Sequence, residues 1–179
     1  MKKTLTTKHT FRTLFFAASL LLTTACTAPR STMNTAPSAA AWKNGVKGSW
    51  VLTSIDRENI PSDYTVKTLF DEAPPECFIG SIWNMPGNGS GSIRFEAEGL
   101  LCAPGAVRNI HWSIYNPGRN AGEPQFQFKK IYPGDHPKHV MAGYRLDLAY
   151  ADEESLRMIM PVPLDGRTGN LIFVFVRVR

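Results

Sequence analysis

The chain has 179 residues, 43% of them hydrophobic, and a formal charge of +5. That length suits one domain plus an export segment. Four of the twenty basic residues, Lys2, Lys3, Lys8 and Arg12, fall in residues 1–25, which hold no acid; the remainder carries sixteen bases against fifteen acids, a net +1. The basicity therefore belongs to the leader, and phosphate-driven binding of nucleic acid loses its electrostatic basis.

Residues 1–25 have the layout of a signal peptide: a basic start, an apolar run over 14–22, then the small residues Thr23, Thr24 and Ala25. The apolar run is too short to span a bilayer, which takes about 20 residues. Cys26 follows at once. This approach to a cysteine resembles the lipobox of bacterial lipoproteins, with Thr23 standing where that family prefers leucine. The resemblance implies a diacylglycerol on the Cys26 sulfur and thus a membrane partner. The alternative is an ordinary secreted protein cut nearby. Residues 26–45 read as the lipidated cysteine and a flexible tether, because 27–41 is small, polar and proline-punctuated. By analogy with lipoprotein sorting, Thr27-Ala28-Pro29-Arg30 lacks an acidic stretch and points to the periplasmic face of the outer membrane.

From residue 46 onward short strands alternate with turn residues. Residues 50–55 are β-rich. Asp63 is placed to cap a short helix through Val66, Leu69 and Phe70, ending at Pro74-Pro75. Strands follow over 78–85 and 92–96, and Gly87-Asn88-Gly89 between them is a hairpin signal. Further strands are predicted over 107–115, 125–132, 142–150, 155–160 and 171–179, each bounded by Gly, Pro or Asp. Eight strands with regular turns predict an antiparallel up-and-down meander closed into a barrel, with one short helix between the first two strands; a β-sandwich is the alternative.

Cys77 and Cys102 are the only other cysteines. In an oxidising compartment an even pair reads as a disulfide, closing a loop of about 26 residues. They flank the first hairpin on the same side, which brings them within reach of each other; the alternative is two separate buried thiols. No serine sits in a Gly-x-Ser-x-Gly elbow, and no nucleophile has an obvious base, so the chain reads as non-enzymatic. Asp135, His136 and His139 form a compact polar cluster, but in a proline-bounded loop, where surface polar residues collect without ligand duty. Neither a metal nor a cofactor is expected.

Gly48-Ser49-Trp50, at the head of the first strand, resembles the Gly-x-Trp signature of lipocalins. The segment from Glu76 to Trp83 and the stretch from Cys102 to Ile114 are similar to the lipocalin-like domains of bacterial lipoproteins, and the resemblance covers roughly residues 46–179. It implies an indole at the closed end of the barrel, covered by a late arginine. Phe173, Phe175 and Arg177 alternate onto one face of the last strand, so Arg177, or less simply Arg179, fits that part.

Trp50, Leu52, Phe95, Trp112, Phe126, Phe128, Leu146, Leu148, Leu156, Met158 and Met160 recur with period two on their strands. Such residues either fill a small barrel or line its cavity. The resemblance implies noncovalent binding of a small apolar or amphipathic ligand. The alternative is a structural or protein-interaction lipoprotein of the envelope, with a filled barrel and a protein partner.

Overall fold

The computed structural model describes residues 37–118 and 121–179, so the segment read as an export signal, Cys26 and most of the stretch read as a tether lie outside the described residues. The first element, α1 (Ala39–Val46), occupies part of the stretch read as tether and corrects that reading. Its cause is local. Ser38 caps the helix by accepting the Ala41 amide at 3.2 Å, and the three alanines that follow are strong helix formers. Trp42 and Val46 lie one turn apart and share the face that packs on the barrel.

The strands are β1 (Gly48–Glu58), β2 (Ile82–Met85), β3 (Ser90–Arg94), β4 (Val107–Tyr115), β5 (Gln125–Lys130), β6 (Tyr144–Ala151), β7 (Ser155–Leu164) and β8 (Arg167–Arg177). Each pairs antiparallel with the next, and β8 returns to β1, so the barrel is closed and leaves no edge. Alternation dictates what fills it. Trp50 and Leu52 of β1, Trp83 and Met85 of β2, Phe126 and Phe128 of β5, and Phe173 and Phe175 of β8 all point inward and are buried. At the β2–β3 turn the Gly89 amide donates to Pro86 O. Gly89 has φ +85°, and a Cβ there would crowd the Trp112 carbonyl, so glycine is needed at this position.

Topology gives the barrel two distinct ends. One carries α1, the start of β1, the end of β8 and the β2–β3, β4–β5 and β6–β7 connections. The other carries the β1–β2, β3–β4 and β5–β6 loops and the β7–β8 turn.

The short helix expected between the first two strands is present, but it lies at Pro75–Phe78 and not over the 63–74 region. Residues 59–74 make an irregular strap, and the short helix α2 (Pro75–Phe78) begins where the expected one was to end. Prolines explain the shift. A residue preceding proline is driven out of the α region, which removes Ala73 and Pro74 from a helix, whereas proline fits well at a first helical position, where Pro75 sits. Phe70 and Asp71 further break the segment with φ of +54° and +48°.

Candidate functional site

At the α1 end the Arg177 guanidinium lies 4.1 Å from the centre of the buried Trp50 indole. Register brings them together: Trp50 is the direct partner of Arg177 across β1 and β8. The indole Nε1 donates to Val46 O at 2.8 Å, tying α1 to the barrel floor. Arg177 also donates to the carbonyls of Gly45, Lys47, Asp152 and Glu153. Gly48 has φ +136°, and any Cβ there would overlap the Arg177 guanidinium, which accounts for the glycine of the Gly-x-Trp motif. This end is a structural floor.

The opposite mouth is built differently. The barrel strands do not close it; the strap does, by inserting Phe70. The Phe70 ring is 6% exposed and sits among Phe78, Trp83, Phe128, Tyr144 and Phe173, with ring centres 5.0–6.2 Å away, four of these pairs being edge-to-face. Four of those rings stand on β2, β5, β6 and β8 and one on α2, so the seat belongs to the scaffold and the plug to the strap. A phenylalanine in the left-handed region is sterically strained, and it persists because its surroundings over-determine it. Between two of the seat residues, Ser81 is fully buried; its hydroxyl donates to Phe78 O and accepts from Trp83 Nε1 at 2.9 Å.

An ionic clamp holds the strap down. The Glu72 carboxylate accepts two hydrogen bonds from Arg108, from Nε at 3.1 Å and Nη2 at 2.6 Å, and a third from Lys130 Nζ at 3.1 Å. Lys130 also donates to Asp71 O at 2.9 Å, and the Tyr144 hydroxyl to Asp71 Oδ2 at 3.1 Å. Burial by itself would push the Glu72 carboxyl up; hydrogen bonds and charge from Arg108 and Lys130 outweigh it and hold the group below the usual carboxylate range. Burial would likewise lower Lys130, yet Glu72 and Tyr144 raise it. Burial raises the Tyr144 phenol, with Asp71 adding to the effect and Lys130 opposing it. Both cations also have contacts outside the strap: Arg108 lies 4.7 Å over the Tyr132 ring of the β5–β6 loop, and Lys130 5.6 Å over the Tyr144 ring of β6.

Cys77 and Cys102 are joined, with Cα atoms 5.2 Å apart. The bond fastens α2, and with it the C-terminal end of the strap, to the β3–β4 loop.

Of the side chains nominated from sequence, Trp50, Leu52, Phe95, Trp112, Phe126, Phe128, Leu146, Leu148, Leu156 and Met158 are buried in the core, and Met160 is half-buried at its margin. Of the nominated aromatic rings only Phe128 pairs with the Phe70 ring, and Phe95 packs on Phe78 with ring centres 5.0 Å apart. Trp112 stacks on Phe126 deeper in the barrel. The plug Phe70 and the seat rings Phe78, Trp83, Tyr144 and Phe173 were not among the nominated residues. Trp83 and Phe173 carried a readable signal, the alternation of their strands. The clamp had none, since Glu72, Arg108 and Lys130 are distant in sequence. The His136 and His139 rings are neighbours in their loop, tilted to one another with centres 5.2 Å apart, and among the described residues no group of three or more His, Cys, Asp or Glu could hold a metal ion. Set against known proteins, the chain matches no family model, no curated protein and no solved structure.

Proposed function

We propose that this is a lipid-anchored, non-enzymatic, lipocalin-like binding domain of the cell envelope, and that it holds a small apolar or amphipathic molecule at the strap-covered mouth. The observation that carries this reading is the closure of the mouth by a strained loop plug rather than by the strands. The plug's seat is a cup of aromatic rings mounted on a closed, rigid wall. Binding sites of small barrels lie at their mouths, with apolar walls and a few placed polar groups. Here the polar groups are Arg108, Lys130 and Tyr144. The export signal and Cys26 support the envelope location and the membrane partner.

Native mass spectrometry of the full chain, extracted in mild detergent from its own membranes, tests this. Beyond the lipid on Cys26, a fraction of molecules should carry a discrete added mass that solvent extraction removes. A single unliganded mass from freshly extracted protein would overturn the reading.

A second reading, an envelope protein that meets a protein partner, is favoured by the side chains around the same mouth. Leu100 and Met141 are 101% and 91% exposed, and Leu101 is 70% exposed. Here Leu100→Ser with Met141→Ser should abolish site-specific photo-crosslinking at that end in intact cells. On the ligand reading the bound small molecule survives those changes.

A further inference from the structure

We infer that the Phe70-to-Glu72 segment is an internal mimic of the ligand, and that the mouth takes an amphipathic anion: one compact aromatic group joined by a short link to a carboxylate. This rests on the binding reading above and adds the chemistry of what binds. Two features of the strap fill two features of the wall. The Phe70 ring occupies the aromatic cup, and two residues on, the Glu72 carboxylate occupies a socket made by Arg108 and Lys130. The Arg108 contact is two-pronged, the geometry in which a guanidinium best receives a carboxylate.

The socket belongs to the barrel. Arg108 is rooted on β4 and Lys130 on β5, and their other ring contacts, Tyr132 of the β5–β6 loop and Tyr144 of β6, are also outside the strap, so both cations remain at the mouth when the strap lifts. Their side chains are 28% and 12% exposed. Those values are for the closed strap; lifting it leaves two cations and the Tyr144 hydroxyl at the rim of an apolar cup without their anion, and a ligand that refills the cup covers them again. A neutral apolar ligand would refill the cup but leave the cations uncompensated, which is costly. A ligand with its own carboxylate restores both sets of contacts. Such a ligand is also free of the left-handed backbone that Phe70 and Asp71 must adopt to deliver the same two groups. The ligand and the strap thus compete for one place, and affinity is reduced by the fraction of molecules whose strap is closed.

The test uses the full chain in detergent and calorimetric titration with 3-phenylpropionate, its neutral analogue 3-phenylpropanamide, and acetate. In the Phe70→Ala, Glu72→Gln double variant, 3-phenylpropionate should bind about tenfold or more tighter than to wild type, and about tenfold tighter than the amide. Adding Arg108→Gln should erase the preference for the acid, and acetate, lacking a ring, should bind to none. In wild type, saturating 3-phenylpropionate should speed amide exchange at Leu69 and Glu72 and leave Phe128 unchanged. Should the double variant melt without a cooperative transition, Glu72→Gln alone serves, with the same order of affinities. Equal binding of acid and amide would overturn the anionic ligand while leaving the binding reading intact. Binding confined to the variants, with no effect on the wild-type strap, would overturn the mimicry. No binding of either aromatic probe to a folded variant would overturn both.

Discussion

Removing the Trp50–Arg177 contact probes how the barrel closes. With the guanidinium 4.1 Å from the centre of a fully buried indole, the cation–π term should lie towards the desolvated end of its range, about 1–2 kcal/mol. Arg177→Gln removes more than that, because the guanidinium also donates to carbonyls on α1 and on the β6–β7 turn. At about 0.5–1.5 kcal/mol net per hydrogen bond, some of them long, the single change should cost about 2–4 kcal/mol. Trp50→Leu leaves a cavity and an unpaired Val46 carbonyl, and should cost a similar amount. The carbonyl bonds of Arg177 survive in the Trp50→Leu protein, so only the stacking term is shared. Chemical unfolding of wild type, both single variants and the double variant should therefore give a coupling of about 1–2 kcal/mol, smaller than either single effect. Additivity within about 0.5 kcal/mol would mean that the start of β1 and the end of β8 do not depend on this contact.

Replacing Cys77 and Cys102 by alanine should lower stability by about 3 kcal/mol, read as an earlier denaturation midpoint, from the loop the bond closes. Glu72 has a lowered folded-state value, so its contribution is fully present above the ordinary carboxylate range and is lost as pH falls through that range towards the folded-state value. The groups facing it, Arg108, Lys130 and the Tyr144 phenol, stay protonated throughout. Thermal melts of Glu72→Gln should be lower than wild type at neutral pH, and the two should converge in acid; a constant gap at all pH values would contradict this. Cys26→Ala should move the protein from the membrane fraction to the soluble one, and retention as firm as wild type would remove the anchor.

Strand identity was legible because inward residues repeat with period two. Ile110 and Trp112 are buried and His111 lies on the outer side of the same strand. Closure was legible from the number of strands and the turns between them. The disulfide was legible because its cysteines flank one hairpin. The strap was misread, since Val66, Leu69 and Phe70 share helical spacing, but that spacing records only that Leu69 and Phe70 are buried and Val66 half-buried. Tertiary contacts pull Phe70 into the mouth and bend its backbone into a region no local preference selects. The helix α1 was overlooked because alanines look like tether until Trp42 and Val46 are seen as a spaced pair. The clamp was invisible for a different reason: Glu72 meets Arg108 and Lys130 only once β4 and β5 are neighbours beside the strap.

Native-state amide exchange tests most directly whether the mouth is a closure that opens by itself. The Leu69 amide donates to Ala73 O at 2.8 Å and the Glu72 amide to Leu69 O at 3.0 Å, so both report the strap. The Phe128 and Phe173 amides report the wall. The expected result is that Leu69 and Glu72 exchange through a local opening of lower free energy than Phe128 and Phe173, nearly insensitive to dilute denaturant, with the wall still protected. Exchange of all four through one denaturant-sensitive global unfolding would contradict it, because no ligand could then reach the aromatic cup of the folded barrel.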